Sequence, residues 1–207
     1  MTHQAGRTRW RRFAAVLVPG VAACAALGIA MAQGALAASF FVSGQKFQIS
    51  ADSLTASGFS LYTMVDMTRK HEAVPVLVTG VRHASVSGLC QSMVVDLPVL
   101  GQYTVRLSGG EERPIEASDL FLDVTAESAG QANFRDLDIG IAQGSLTTGP
   151  VRPEDRSSRL FDPDLPAQQA RSISLTNVRT TAIAVSAGSF DVPGLRAVLK
   201  QGRHECF

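Results

Sequence analysis

Hydrophobic and polar residues alternate along most of the chain after residue 39. This period of two predicts β-strands, because successive side chains of a strand point to opposite faces. Residues 114–143 contain the pattern twice: the alternation runs up to a short polar residue, Asp119 or Asp136, and then shifts phase. A residue in a bulge or a left-handed conformation bends a strand at such a point, which lets both halves face one core. We therefore expect sharply bent strands.

The same phase shift recurs along the chain, with a glycine, an aspartate or an asparagine at the turning point. The predicted strand pivots are Gly58, Gly80, Gly88, Asp119, Asp136, Asn177 and Gly194. Their spacing is irregular, whereas a solenoid keeps one period throughout, and a sandwich of bent strands fits at least as well. The sequence predicts an all-β fold, a β-solenoid-like or sandwich body after an N-terminal apolar leader helix. Residues 167–171 are the one short helix candidate in the body.

The first 38 residues carry the features of an export signal. Arginines at positions 7, 9, 11 and 12 precede an uncharged apolar run, residues 13–31, and Ala35 and Ala37 offer small residues before a signal-peptidase cleavage site. Left uncut, the run is long enough to span a bilayer and would place the body outside the cell. Cleavage after Ala37 would release the body instead. Lipoprotein processing at Cys24 and a twin-arginine signal are weaker alternatives.

These patterns predict the organisation of the whole chain. Residues 1–38 form an export signal or a membrane anchor, and residues 39–207 form a single β-rich extracytoplasmic domain. Within that domain, residues 150–166 are rich in proline and are predicted to form a long loop, a surface or lid-like excursion. The expected location is extracytoplasmic, either membrane-anchored or secreted.

The net charge of +1 averages two unlike regions. The four arginines of the leader account for four of the 19 Lys and Arg residues, which leaves 15 against 18 Asp and Glu in the body. A slightly acidic body without runs of Lys or Arg offers no basic face, so we expect no nucleic-acid partner.

The body carries no recognisable catalytic or metal-binding constellation. It has no G-x-S-x-G elbow, and His71, His83 and His204 have no partner at a spacing typical of metal ligands. Asp119 and Asp136 could form a carboxylate pair, but Asn177 and several glycines occupy the equivalent position elsewhere. That position therefore needs turn-forming geometry rather than charge. We predict no catalytic, cofactor-binding or metal-binding residues.

The body contains two cysteines, Cys90 and Cys206. In an exported protein they most simply form one disulfide, which would tether the C-terminal tail. The alternative is a pair of free buried thiols.

Several segments together resemble a family of uncharacterised exported proteins from actinobacteria. The matching segments are residues 11–13, 32–40, 48–59, 89–92, 132–140, 167–170 and 205–207. The resemblance implies a cell-envelope protein, often encoded beside a small multi-pass membrane protein that is a candidate partner. It also implies the Cys90–Cys206 disulfide, because both cysteines match the family pattern. Cys24 does not match, which argues further against lipoprotein processing. Some members carry the label cholesterol esterase.

Three functions follow as hypotheses. The first is a non-enzymatic envelope protein that binds a membrane-protein partner or an apolar ligand such as a lipid. The second is a lipid or sterol ester hydrolase with a non-standard site, which requires a histidine within hydrogen-bonding reach of a serine in a cleft. The third is a lipid carrier, which requires a continuous cavity with apolar walls.

Overall fold

Ten β-strands make up most of the structure, a computed structural model that describes residues 43–207. The predicted leader, with Ala35 and Ala37, lies outside the described residues. The strands are β1 (Phe47–Met67), β2 (Ala73–Ser87), β3 (Leu89–Leu97), β4 (Gly101–Gly109), β5 (Ile115–Ser128), β6 (Gln131–Arg135), β7 (Asp138–Ala142), β8 (Pro166–Ser186), β9 (Ser189–Asp191) and β10 (Arg196–Gln201). A 3-10 turn, Gln143–Ser145, and a short helix α1, Pro153–Arg156, lie between β7 and β8.

All strands belong to one antiparallel sheet. The long strands β1, β2, β5 and β8 pair in a closed circuit, since β1 pairs with β2 and β8, and β5 also pairs with both. The strands β3, β4 and β10 extend this circuit from one side of β1, in the order β10-β4-β3-β1. The all-β prediction is confirmed. The solenoid alternative gains no support. Every strand pairing in residues 43–207 is antiparallel, whereas the stacked rungs of a parallel β-helix pair in parallel.

The long strands bend along one line that crosses all four of them. The pairing of β1 with β2 is interrupted at Gly58 and Arg82, that of β2 with β5 at Arg82 and Asp119, and that of β1 with β8 at Gly58 and Arg171. Aligned interruptions let the whole sheet fold over together, because no strand has to stay straight while its neighbour turns.

Six of the seven predicted pivots have a positive φ. They are Gly58 (65°), Gly88 (64°), Asp119 (45°), Asp136 (51°), Asn177 (51°) and Gly194 (67°). Asp and Asn tolerate this left-handed conformation better than other residues with a side chain, because their short polar groups bond locally to the backbone.

Gly80 is not a pivot, so this prediction was wrong. It pairs regularly with Ser60, and the irregularity of β2 lies two residues later at Arg82. A Cβ atom at Gly80 would lie 2.7 Å from Ser60 Oγ and 2.8 Å from the carbonyl oxygen of Pro150. Glycine is therefore needed at this position for the close approach of another segment, not for a bend.

The helix predicted at residues 167–171 is also wrong, because these residues open β8. They pair with β1 on one side and, up to Gln169, with β7 on the other. Pairing on both sides outweighs the weak helix propensity of so short a stretch.

The irregular residues 143–165, called here the strap, contain nearly all of the predicted long loop, and part of this segment packs on the sheet. Leu146, Gly149 and Asp155 are buried, and Phe161 packs with its ring 6.2 Å from that of Tyr62. Leu146 joins Tyr62 and other side chains of β1 and β2 in one of the hydrophobic clusters of the core. One face of β1 and β2 lines the main core cluster, and the strap covers the opposite face of the same strands.

A Gly149→Ala substitution tests how closely the strap approaches β1. The added Cβ atom would overlap the backbone of Phe59 and Ser60, which cannot move aside without breaking strand pairing. We expect the free energy of unfolding to fall by about 1–3 kcal/mol, as in other overpacked sites. Urea denaturation measures it. Gly188→Ala is the matched control, since its nearest neighbour would lie at an ordinary 3.4 Å, and a loss equal to that of Gly149→Ala would contradict the prediction.

Candidate functional site

Charged side chains and one tyrosine meet beneath the strap in what we call the buried charge cluster. Its members are Tyr62 and Asp66 from β1, Asp123 from β5, and Arg152 and Asp155 from the strap. The Arg152 guanidinium donates two hydrogen bonds to Asp123, of 2.8 Å to Oδ1 and 3.1 Å to Oδ2. Their side chains are only 15% and 2% exposed, so this is a buried bidentate ion pair. The guanidinium also lies 5.2 Å from the centre of the Phe121 ring.

Tyr62 connects the two ends of this cluster. Its hydroxyl donates a 2.7 Å hydrogen bond to Asp155 Oδ2 and accepts one of 3.1 Å from the backbone N–H of Arg152. Asp155 lies in turn 3.6 Å from Arg152 Nη1. The first turn of α1 is therefore fixed to β1 and β5 by side chains of both strands.

Burial shifts the pKa values of these groups. It raises the pKa of the Tyr62 hydroxyl, and the charge of Asp155 adds to the effect. It also raises the pKa of Asp155, although the Tyr62 hydrogen bond and Arg152 oppose the shift. Burial alone would lower the pKa of Arg152, but Asp123 and Asp155 outweigh it and raise that pKa. Arg152 therefore stays charged, and Tyr62 remains a hydrogen-bond donor.

Asp66 is the group whose protonation changes near neutral pH. Burial raises the pKa of its carboxyl to about 7, with the charge of Asp123 adding and that of Arg152 opposing. Its buried Oδ2 atom has no hydrogen-bond partner among the described residues. Burial therefore favours the neutral form of the Asp66 carboxyl over its charged form.

Asp66 makes stability fall as the pH rises. The pKa of about 7 in the folded state lies above the unfolded value of about 3.9, so the contribution is complete below about pH 4 and is lost as the pH rises through 7. Asp66→Asn keeps the shape but not the titration. We expect the variant to gain about 1–2 kcal/mol over wild type between pH 4 and pH 8, a value reduced for solvent screening. Denaturation at both pH values measures it, and parallel pH profiles would refute the assignment.

Further polar contacts fix the rest of the strap. Gln169 Oε1 accepts hydrogen bonds of 2.9 Å from the backbone N–H groups of Thr147 and Thr148. Ser60 donates to the carbonyl oxygen of Pro150, and the fully buried Gln143 accepts a 3.2 Å bond from the backbone N–H of Thr63. Together with the charge cluster these contacts bind the strap along its length. The arrangement suits a structural role, since the side chains of Ser60, Gln143 and Gln169 all bond to backbone groups across the contact between strap and strands.

The three histidines that the hydrolase hypothesis names lie in different parts of the structure. His83 pairs with Ser57 across β1 and β2, in a shallow depression of about 760 Å³, but no hydrogen bond joins its ring to a serine of the described chain. His204 Nε2 lies 3.0 Å from the carbonyl oxygen of Gln201 in the tail. His71 lies in the β1–β2 turn. Within residues 43–207, a serine neighbours His83, but neither His83 nor His204 forms a hydrogen bond with a serine side chain.

The depression beside His83 has mixed walls, in which Ala56, Ala84, Phe134 and Ile173 lie among polar side chains. The polar part of the lining includes Thr55, Ser57, Ser85, Glu116, Asn133 and Ser174. Ser85 donates a 2.9 Å hydrogen bond to Glu116 Oε1. A second depression of about 390 Å³ is lined in part by Asp52, Asn177 and Arg179. Polar side chains interrupt the apolar part of the larger depression.

Cys90 and Cys206 form the predicted disulfide, with their Cα atoms 6.0 Å apart. It fixes the C-terminal tail across the polar face of β3 and β4. Thr104 Oγ1 donates to the carbonyl oxygen of Gly202 at 2.7 Å, and the backbone N–H of Cys206 donates to Ser92 Oγ at 3.0 Å. Thr104 and Ser92 are buried as a result.

The opposite side of β3, β4 and β10 is apolar, and we call it the apolar face. Alternation and strand register place these side chains together: Met93, Val95, Leu97, Tyr103, Val105, Leu107 and Leu199. Leu199 is 58% exposed, and the other six are half-buried, with Met93 packed against the core cluster of Phe47, Val124 and Ala182. An antiparallel sheet usually turns its polar side to solvent. In this extension the tail covers the polar side, and the apolar side is left partly open.

The remaining predicted residues are structural. The carboxylates of Asp119 and Asp136 lie at strand bends, and that of Asp136 forms an exposed ion pair of 2.9 Å with Arg171. Residues 43–207 contain no group of three His, Cys, Asp or Glu side chains that could hold a metal ion. None of the helices in this part of the chain is long and apolar enough to cross a membrane.

Comparison with known proteins identifies a family but no characterised relative. A family model described as "Family of unknown function (DUF6230)" matches residues 43–207. No curated protein and no solved structure matches the chain.

Proposed function

Since the chain belongs to the family of unknown function DUF6230, we propose from its own structure that it is a non-enzymatic, exported envelope protein. It binds an apolar partner, a membrane protein or an apolar ligand, through the apolar face of β3, β4 and β10. The observation that carries this proposal is the reversed polarity of the extension: its polar side lies under the tail, and its apolar side remains partly exposed.

Export is supported by two independent features. The arginines followed by an uncharged apolar run at residues 13–31 are typical of an export leader or a membrane anchor. The Cys90–Cys206 disulfide suits an oxidising compartment outside the cytoplasm. We place the β-rich body, residues 39–207, on the outer side of the membrane, either anchored or released.

The physical case for binding rests on apolar area. Burying the side chain of a residue such as Leu or Val contributes about 1.5–3 kcal/mol. Ser92 and Thr104 bond to the tail on the other side of the extension, and most side chains of the apolar face are apolar, so a partner there would displace few hydrogen bonds to water. This side can therefore associate at little desolvation cost.

Site-specific photocrosslinking tests the proposal. A photoreactive amino acid at Leu199, on the apolar face, is expected to capture a membrane protein or a lipid in intact cells, identified by mass spectrometry. The same amino acid at Ser57, in the depression beside His83, is the control and should capture neither. Equal adducts at both positions, or none at Leu199, would overturn the proposal. Ester turnover by the purified protein that is lost in Ser57→Ala would favour the hydrolase instead.

A further inference from the structure

Strand β10 forms one end of the sheet and leaves an edge open there. In the described chain it pairs with β4 alone, and all six of its residues are exposed. Just after the strand, the N–H of Gly202 donates a 2.8 Å bond to the carbonyl oxygen of Gln102. The bonding direction alternates along an antiparallel strand, so the N–H and C=O groups of Ala197 and Leu199 point away from β4. Such a row of backbone groups can pair with a further strand.

The two sides of this edge differ in polarity. Strand register places Leu199 on the apolar face, whereas Arg196 and Lys200 lie on the opposite side, the one that the tail covers over β3 and β4. Arg106 of β4 lies on that same side, opposite Val198 and therefore between the other two cations. The edge is apolar along one side and cationic along the other.

The three cations of this edge are not neutralised within the described fold. None of the ion pairs among residues 43–207 involves Arg106, Arg196 or Lys200. Asp96 lies on the same side of the sheet, but it belongs to β3, and β4 separates that strand from β10. Glu205 already forms an ion pair within the tail. The cationic side therefore complements acidic side chains of a ligand.

Two segments of the protein itself do not supply that ligand. A second copy of β10 would bring only Arg196 and Lys200 to the cationic side, and like charges on adjacent strands are destabilising. The N-terminal segment carries no acidic side chain, because no Asp or Glu precedes Asp52. The edge therefore fits a segment of a different protein.

We propose that β10 pairs with an extended segment of another protein, in which acidic side chains alternate with apolar ones. The acidic side chains lie beside Arg196 and Lys200, the apolar ones lie beside Leu199, and the backbone bonds to Ala197 and Leu199. This inference rests on the proposed function, and it names the chemistry of the partner and its mode of binding.

A designed peptide tests the charge preference of the edge. The full-length protein, purified as exported, is titrated into a fluorescein-labelled peptide of about ten residues in which glutamate and valine alternate. Fluorescence anisotropy measures the dissociation constant. We expect saturable binding that weakens at high salt, and at least about tenfold weaker binding of a matched peptide of alternating lysine and valine.

N-methylation of the peptide separates strand pairing from charge attraction alone. Opposite residues of an antiparallel pair lie on the same side of the sheet, so the valines of the peptide bond to the backbone of Ala197 and Leu199. Methylating the valine nitrogens should weaken binding at least about tenfold. Methylating the glutamate nitrogens changes only the outer edge of the peptide, and should weaken binding less than about threefold.

Variants of β10 test the same contacts from the side of the protein. Leu199→Pro removes an N–H that points away from β4, which an edge strand tolerates, and should weaken binding at least about tenfold. Leu199→Ala is the matched control, because it shortens the side chain but keeps the N–H, and it should cost less than about threefold. Lys200→Glu should reduce the preference for the glutamate peptide over the lysine peptide.

The outcomes separate this inference from the proposed function. No binding of the glutamate peptide, equal binding of both charge types, or equal effects of the two methylations overturns the inference. If the peptide fails but Leu199 still crosslinks to a membrane protein or a lipid, the proposed function stands and the strand pairing falls. If the peptide pairs with β10 while Leu199 captures neither in cells, the edge accepts a strand but the apolar face is not the binding surface.

Discussion

Replacing Cys206 with serine is expected to lower the free energy of unfolding by about 3–5 kcal/mol. The disulfide joins residues 116 positions apart, so its loss frees a long loop in the unfolded chain. The folded state is also destabilised, because without the disulfide nothing covalent holds the tail in position for its hydrogen bonds to Ser92 and Thr104. Urea denaturation of the oxidised wild type and of Cys206→Ser measures the difference.

Controls for this prediction use the bond itself. Cys90→Ser should cost about as much as Cys206→Ser, and the double variant should cost little more, because all three lack the same bond. A reductant should bring the wild type to the level of the variants and leave the variants unchanged. Proteolysis should remove the tail first in each case, since its residues are otherwise exposed. A wild type that keeps its stability in reductant would contradict the prediction.

The bends show what a local pattern can predict. Asp119, Asp136 and Asn177 were assigned the same role from their place in the alternation, and all three have a φ between 45° and 51°. This prediction succeeds because the left-handed backbone conformation depends on the residue itself. Short polar side chains such as Asp and Asn tolerate that conformation. The prediction for Gly80 was wrong because the glycine there is required by a distant contact and not by the local backbone. Its glycine is required by the Pro150 carbonyl, seventy positions away, and the sequence around Gly80 carries no sign of that contact.

The buried charge cluster could not be found by the same reasoning. Asp123 alternates with Leu122 and Val124, so the period of two assigns it to a solvent-exposed face. The strap covers that face and makes Asp123 almost fully buried. The one available signal was the presence of Arg152 and Asp155 in a segment otherwise rich in proline and glycine. Such a signal becomes meaningful only once the strap is known to lie on the sheet.

The apolar face was missed because sequence periodicity cannot tell which side of a strand is covered. Met93, Val95 and Leu97 alternate correctly for a strand, and apolar side chains are expected to face the core. Met93 does pack against a core cluster, but the strands extend beyond that cluster while the C-terminal tail occupies the other side of β3 and β4. The predicted disulfide already located the end of that tail beside Cys90, but the side of the sheet that it covers required coordinates.

Replacing Asp123 with asparagine should destabilise the protein by about 3–5 kcal/mol, the usual cost of removing one partner from a buried ion pair. Asparagine has nearly the same shape, so the loss reports charge rather than packing. Arg152 would keep only Asp155, at 3.6 Å, and its positive charge would remain largely buried. The strap should loosen before the sheet unfolds, which hydrogen exchange of the Thr147 and Thr148 amides would detect through the loss of their bonds to Gln169.

Asp136→Asn is the matched control, because it makes the same chemical change in an ion pair whose side chains are 78% and 61% exposed. Asparagine also suits the positive φ at this position, so the cost should stay within about 1 kcal/mol. Asp123→Asn should in addition lower the pKa of Asp66, because the charge of Asp123 is part of what raises it. The stability loss of that variant between pH 4 and pH 8 should therefore be smaller than in wild type. If both substitutions cost the same, or if the Asp66 titration does not move, Asp123 and Arg152 do not fasten the strap through their charges.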